Sequence, residues 1–118
     1  MYDVKYSKSA ERYFKKIKDK NLLKAFKSVI DKIKEEPYIG EQKSGDLKGI
    51  YGYDVKYIGI NYELAYRIYE ENDKLIVVIL AGTRENFYDE LKRLIKWIIF
   101  LILQKIANGC IPDNNVIE

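Results

Sequence analysis

The residues of this chain that are suited to chemistry are charged side chains at alternate positions of two predicted β-strands. The segments IYGYDVKY (50–57) and NYELAYRIY (61–69) alternate large apolar residues with other types, which is typical of strands with one buried and one open face. The open face carries charges of both signs, and an arginine follows the next strand: Asp54, Lys56, Glu63, Arg67 and Arg84. We therefore expect the function on this charged face.

The absence of histidine limits which chemistry this face can perform. The chain has no histidine, and its one cysteine is Cys110. This excludes Ser–His and Cys–His nucleophilic arrangements and histidine metal sites. It also excludes a disulfide framework within the chain. Any acid–base chemistry must therefore use Asp, Glu, Tyr, Lys or a group of the substrate.

Length and composition indicate one globular domain. The 118 residues are 47% apolar and 33% charged, which excludes a disordered chain. No signal-peptide pattern follows the first methionine, so we expect a cytoplasmic location. Residues 1–36 contain 11 Lys/Arg and 6 Asp/Glu, whereas residues 37–93 contain 8 and 10. The basic N-terminal part suits an anionic partner such as nucleic acid or the ribosome, although a lysine-rich solvated surface gives the same count.

The hydrophobic periodicity predicts the element order β-α-α-β-β-β-α. A short strand at residues 2–6 leads to a helical hairpin, whose first helix is capped by Ser7 and whose second ends before Pro37. A polar loop at residues 38–49 precedes three strands, the last of which (74–81) is apolar on both faces, as in mid-sheet. The prediction is an α+β fold in which the hairpin and a C-terminal helix cover a small, mainly antiparallel four-stranded sheet.

The predicted turns set the register of the charged side chains. Gly59 and Asn61 are expected in the first turn of the three-strand region, and residues 71–73 in the second. A symmetric first turn would place Lys56 opposite Glu63 on the open face. These two side chains would then form either a cross-strand ion pair or part of a site.

The C-terminal region carries a long apolar run. Thr83 is predicted to cap the last helix, and residues 97–103 (WIIFLIL) are apolar without interruption. This run is far shorter than the roughly 20 residues that a membrane-spanning helix needs. A helix that is apolar all round is expected to be buried against the same chain, a second copy or a partner. We divide the chain into a domain at residues 1–96 and an apolar extension with a frayed tail at residues 97–118.

Four segments, in their order and spacing, resemble the RelE/ParE toxins. They are SAERYFKKI (9–17), LKGIYGYDVKY (47–57), YELAYRI (62–68) and ILAGTRENFYDEL (79–91). The resemblance covers about residues 1–95 and implies the toxin half of a type II toxin–antitoxin pair, with a cognate antitoxin as partner. RelE-like members cut messenger RNA in the ribosomal A site, whereas ParE-like members poison DNA gyrase on the same fold.

The RNA-cutting members imply particular roles for residues of this chain. They use no metal or other cofactor, and they make the ribose 2′-hydroxyl attack the adjacent phosphate, which needs a base, an acid and cations. By position, Lys56 and Arg84 would hold the scissile phosphate. Glu63 is the candidate general base, with Asp54 as the alternative. Tyr88 would be the acid or a base-stacking residue. Further RNA contacts are expected from four residues: Asp54, Arg67, Lys15 and Lys16.

Two positions depart from the RNA-cutting pattern. Asp54 and Glu63 stand where the ribosome-dependent enzymes commonly carry basic residues, and both remove positive charge from the face. Each candidate also has a structural reading, namely ion pairs for Glu63 and Arg84 and simple packing for Tyr88. The sequence predicts a metal-independent, ribosome-associated mRNA endoribonuclease. The alternatives are a gyrase poison and an inactive homologue that only binds an antitoxin.

Overall fold

The fold is taken from a computed structural model that describes residues 2–70 and 74–107. The predicted turn at residues 71–73, the C-terminal tail and Cys110 lie outside the described residues. The strands are β1 (Asp3–Tyr6), β2 (Glu41–Gln42), β3 (Ile50–Tyr57), β4 (Ile60–Tyr69) and β5 (Leu75–Thr83). The helices are α1 (Lys8–Lys16), α2 (Lys20–Glu35) and α3 (Phe87–Ala107), with short 3₁₀ turns at Pro37–Ile39 and Gly45–Leu47.

The strands form one mixed sheet in the order β1-β5-β4-β3-β2. Strand β1 pairs with β5 in parallel and the other pairs are antiparallel, which confirms the predicted α+β class. The sheet has five strands rather than four, because Glu41 and Gln42 of the polar loop pair with Gly52 and Tyr51. A two-residue strand carries too little alternation to be seen in the sequence.

The helical hairpin covers one face of the sheet. Ser7 caps α1 as predicted, since its Oγ accepts a hydrogen bond from the Ala10 amide at 3.1 Å. The first core lies between the hairpin and this face, and it contains residues such as Phe26, Tyr62 and Tyr66. The alternation predicted for the buried face of β3 and β4 is therefore confirmed.

The other face is only partly open. Its sheet residues, which include Ile50 and Ala65, form a second core with Leu47 and with the first turns of α3. Helix α3 contributes Phe87 and Leu91 to that core, and both are fully buried or nearly so. The charged side chains are thus confined to the part of this face that the second core does not cover.

The register of the β3–β4 hairpin differs from the prediction. The turn is formed by Ile58 and Gly59, whose φ angles of 46° and 72° are those of a tight two-residue hairpin turn. Asn61 therefore lies in β4 opposite Lys56, and it is Asp54 that faces Glu63. The symmetric-turn register was wrong because the shorter turn shifts every pair by two residues.

Helix α3 begins later than predicted and continues through the apolar run. Thr83 does not cap it, because Thr83 still pairs with Tyr62 in the sheet and the helix begins at Phe87. The helix is unbroken between residues 96 and 97, where we placed a domain boundary. Among the described residues, no helix combines the length and apolarity needed to cross a membrane.

Candidate active site

A cleft of about 560 Å³ opens on the charged face of the sheet. Its walls are the 39–44 segment, strands β3 and β4, and the start of α3. Four residues singled out in the sequence line it: Asp54, Glu63, Arg84 and Tyr88. The structure therefore brings together side chains that are far apart in the chain.

The centre of the cleft holds two carboxylates on neighbouring strands. Asp54 and Glu63 are directly opposite in the β3–β4 ladder, an arrangement that is unfavourable for like charges unless each has a cation. Each has one from a different element. The Lys43 Nζ lies 2.9 Å from the Glu63 Oε2, and the Arg84 Nη1 lies 3.3 Å from the Asp54 Oδ2.

The Glu63 carboxylate lies on the floor of the cleft. Its side chain is 9% exposed and that of Lys43 is 21% exposed. The contact between them meets the distance of an ion pair, but Oε2 has no partner among the described residues that satisfies the geometry of a hydrogen bond. We therefore describe it as a charge contact, which leaves this oxygen able to accept a proton or a hydrogen bond.

Gly52 makes room for this pair. A Cβ atom at position 52 would lie 2.9 Å from the Glu63 Oε2 and 3.1 Å from the Lys43 Nζ, closer than side-chain atoms normally approach. Because Gly52 is directly opposite Glu41 in the β2–β3 pair, the segment that carries Lys43 crosses the same edge of the sheet. A larger residue at position 52 would push one of these flexible side-chain ends away from the strand.

The position of Lys43 depends on a buried tyrosine. The Tyr66 hydroxyl donates to the Pro37 carbonyl at 2.6 Å and accepts from the Gly40 amide at 3.0 Å, which ties the start of the 38–49 loop to the sheet. Burial raises the pKa of Tyr66 to about 12. The Lys43 amide then donates to the Ile50 carbonyl at 2.8 Å. Sequence reasoning missed Lys43, since the loop has no periodicity to indicate its partner.

Arg84 lies at the mouth of the cleft. Its amide donates to the Asn61 carbonyl at 2.8 Å, which extends the β4–β5 ladder one residue past β5. Its side chain is 58% exposed and that of Asp54 is 46% exposed. An exposed pair of this kind is worth only about 0–1 kcal/mol, so the guanidinium can exchange Asp54 for another anion at small cost.

Tyr88 presents an exposed ring beside the mouth. It lies in the first turn of α3, and the Lys92 Nζ is 5.1 Å from its ring centre, a cation–π distance. The same Nζ is 3.8 Å from the Asp46 Oδ2. An exposed ring with a cation on it is suited to stacking on a base or to placing its hydroxyl at the cleft.

The remaining predicted residues do not line the cleft. Lys56 is exposed on the same face of β3, two residues beyond Asp54 and opposite Asn61. Arg67 is on β4 at the far side of Ala65, and its guanidinium lies against Gly49. The two α1 lysines are exposed on the hairpin, which covers the opposite face of the sheet: Lys15, which pairs with Glu11 at 2.9 Å, and Lys16.

No cluster of three or more potential metal ligands occurs within residues 2–70 and 74–107. The lining of the cleft includes carboxylates, cations and a phenol. This is the set of groups that can move a proton and stabilise an anion without further components.

Comparison with known proteins identifies the family. A sequence profile for the ParE-like toxins of type II bacterial toxin–antitoxin systems matches residues 4–92. The chain belongs to this family. It is the toxin of a type II module, as the sequence resemblance predicted. No curated protein sequence matches the toxin at a significant level.

Solved structures confirm the fold of this toxin. Free Escherichia coli RelE carrying two arginine substitutions has a TM-score of 0.64 and 18% identity, covering 82% of this chain and 97% of that one. The Mycobacterium tuberculosis RelBE2 toxin–antitoxin complex has a TM-score of 0.56 and 24% identity, and the match covers 70% of this chain and 98% of that one. E. coli RelE in complex with an antitoxin RelB peptide has a TM-score of 0.53 and 20% identity, and the match covers 76% of this chain and 93% of that one. At these identities the likeness is one of fold.

The family match divides helix α3 of the toxin. All residues that line the cleft lie within the matched range, which ends at residue 92. The apolar side chains after Lys96 lie beyond it. Five of them are about half exposed: Trp97, Ile99, Phe100, Leu103 and Ile106. The cleft is thus part of the toxin domain, and the second half of α3 adds an apolar surface to it.

Proposed function

We propose that this toxin is a metal-independent endoribonuclease that cleaves messenger RNA on the ribosome. The observation that supports it best is the Glu63 carboxylate on the cleft floor, with one oxygen free of hydrogen bonds and a cation on each side of the carboxylate pair. A base beside cations is what attack by a 2′-hydroxyl on a phosphate requires. The proposed substrate is translated in the cytoplasm, so we place the toxin there.

The proposed reaction is a transesterification within the RNA strand. Glu63 takes the proton of the 2′-hydroxyl, whose oxygen then attacks the adjacent phosphorus. The bond from phosphorus to the 5′-oxygen breaks, and Tyr88 gives its hydroxyl proton to that oxygen. The products are a 2′,3′-cyclic phosphate and a 5′-hydroxyl, so atoms and charges balance. Tyr88 is recharged by the proton that Glu63 received.

The cations act on the charge that develops at phosphorus. Arg84 leaves Asp54 for the phosphate, an exchange that its exposure makes inexpensive. Lys56 lies on the same face two residues from Asp54, and it approaches the phosphate from the side of the β3–β4 turn. Arg67, Lys15 and Lys16 lie outside the cleft, and we assign them only to contacts with flanking or ribosomal RNA phosphates.

The test is cleavage of a messenger RNA during translation, followed by primer-extension mapping. We expect cuts spaced by codons with the wild-type toxin, and a loss of about 10²–10³ in rate for Arg84→Ala. Arg12→Ala is the matched control, because Arg12 is an exposed arginine on α1, on the other side of the sheet. Full activity of Arg84→Ala would contradict the site assignment.

A gyrase poison is the second candidate, and the ion pairs of the cleft favour it. Both carboxylates neutralise a cation that RNA would need, which suits a protein target or an inactive homologue that only binds an antitoxin. Purified toxin would then trap gyrase on DNA without cutting RNA. Neither activity, with antitoxin binding intact, would indicate the inactive homologue.

We propose a cognate antitoxin as the partner of this toxin. Two of the three solved structures described above contain an antitoxin. The exposed apolar half of α3, in which the Trp97 and Phe100 rings stack at 6.0 Å, offers a surface for it. Leu103→Glu should weaken the antitoxin complex by about tenfold or more. Ile60→Glu is the control, because Ile60 is also an exposed apolar residue but lies on β4, and it should leave the complex unchanged. A change only in self-association would indicate a homodimer through this helix.

A further inference from the structure

Lys43 is the cation nearest to the proposed base, and nothing in the sequence pattern assigned it a role. Its Nζ lies 2.9 Å from the Glu63 Oε2 over Gly52, and its side chain is the less exposed of the two cations paired in the cleft, at 21% against 58% for Arg84. A cation in so shielded a place interacts with an anion more strongly than one in open solvent.

The bonding of Lys43 leaves it able to take a second anion. An ammonium group has three N–H donors, and its contact with Glu63 lacks the geometry of a hydrogen bond. Its backbone is held by the Ile50 carbonyl and by the Tyr66 contacts at Pro37 and Gly40. Only the flexible stem must therefore move for Nζ to reach a group in the cleft.

The charge balance of the cleft gives this movement a consequence. Asp54 and Glu63 face each other, and each is neutralised by one cation. A strand of phosphates would be repelled by the carboxylates unless both cations turned towards it. If Arg84 alone turned, Asp54 at the mouth would lose its cation, and the phosphate would gain one positive charge beside one unpaired negative charge.

We infer that Lys43 is a phosphate-binding residue of the cleft, which Glu63 holds in place until a polyanion enters. The inference rests on the proposed RNA substrate. Lys43, on the 38–49 loop, and Arg84, at the end of β5, then both bind phosphates of the same RNA strand. Glu63, released from its cation, is left as the base.

Binding of an uncleavable RNA tests this inference separately from catalysis. A single-stranded oligonucleotide methylated at every 2′-oxygen is titrated with toxin at several salt concentrations. Lys43→Met should weaken binding about three- to tenfold and reduce the slope of log K against log salt by about 0.7, the value for one phosphate contact on single strands. Lys48→Met, an exposed lysine of the same loop, should leave the slope unchanged.

A double-mutant cycle tests whether Glu63 restrains Lys43. Glu63→Gln should tighten binding of the methylated RNA in both backgrounds, because it removes a negative charge from the cleft. The effect should be larger when Lys43 is present, because the substitution then also frees that cation. The double variant removes both charges of the pair. It therefore avoids the unpaired Glu63 carboxylate that destabilises the fold in Lys43→Met alone. An equal effect of Glu63→Gln in both backgrounds would overturn the inference.

The outcomes separate the inference from the proposed function. RNA binding that depends on Lys43, with no cleavage on ribosomes, would contradict the endoribonuclease and support the phosphate site. If the toxin cleaves RNA and the two variants Lys43→Met and Lys48→Met have the same cleavage rate, the result would support the endoribonuclease and overturn the role of Lys43. Absence of RNA binding by the wild-type toxin would overturn the inference, and only absence of cleavage on ribosomes would also overturn the proposed function.

Discussion

The floor and the mouth of the cleft each hold one ion pair, and the two pairs differ mainly in their exposure to water. On the floor, Lys43 and Glu63 are 21% and 9% exposed, whereas Arg84 and Asp54 at the mouth are 58% and 46% exposed. A shielded charge is costly without its partner, whereas an exposed one is solvated whether paired or not. The floor pair is therefore suited to staying together until another anion enters the cleft, and the mouth pair to exchanging partners freely with solvent and solutes.

The largest expected difference between the two carboxylates is in catalysis. Glu63→Gln should lower the cleavage rate about 10²–10⁴-fold, because it removes the general base. Asp54→Asn should instead raise activity at low RNA concentration, since it frees Arg84 for the phosphate. Rates measured on translating ribosomes for the two variants check this, and equal losses would contradict the division of roles.

Stability should also distinguish the pairs. Lys43→Met leaves Glu63 shielded without its cation and should lower the free energy of unfolding by about 2–3 kcal/mol, somewhat less than for a fully buried pair. Arg84→Met should cost at most about 1 kcal/mol. Urea unfolding of both variants provides the comparison. A larger cost at Arg84 would mean that exposure does not control these energies.

The space over Gly52 offers a milder way to disturb the floor. Gly52→Ala places a Cβ within 2.9 Å of the Glu63 Oε2, which is the far end of a flexible side chain. The Lys43–Glu63 contact should therefore shift, at a cost below the roughly 1–3 kcal/mol of overpacking a rigid core. Gly82→Ala is the matched control, since its nearest neighbour would be the Phe87 ring at 4.0 Å. Thermal unfolding should therefore show a lower Tm for the first variant only.

A third carboxylate, outside the cleft, should give the smallest effect. Glu70 accepts hydrogen bonds from Tyr2 at 2.6 Å and Tyr38 at 2.8 Å, which hold its pKa below the ordinary value. A lowered folded-state pKa stabilises the fold above about pH 4.5, and that contribution is lost as the pH falls further. Glu70→Gln should flatten the acid side of the stability profile slightly. An unchanged profile for Glu70→Gln would count against these hydrogen bonds.

Much of the scaffold follows from local patterns. Three features depend only on neighbours within a few residues: the alternation of β3 and β4, the Ser7 cap, and the end of α2 before Pro37. The structure has all three as predicted. The predictions were wrong where pairing between residues far apart in the chain determines the structure. Strand β2 exists only because β3 is beside it, and Thr83 stays in the sheet because Tyr62 pairs with it.

The site divides in the same way. Sequence reasoning identified four residues that line the cleft, since strand faces and strand ends are readable from periodicity. It placed Lys56 opposite Glu63, whereas the tight turn at Ile58 and Gly59 puts Asn61 there. Turn length depends on how two strands twist together, which the alternation of either strand alone does not contain.

By itself, the sequence determined the family, the α+β order of elements and the face on which the charges lie, because those depend on side-chain types at fixed local spacing. Only the tertiary structure decided which charges meet. Lys43 reaches Glu63 because Tyr66 ties an aperiodic loop to the sheet and Gly52 leaves the space between them. A buried hydroxyl and a missing side chain act through three-dimensional contact, so their effect on the cleft appears only once the chain has folded.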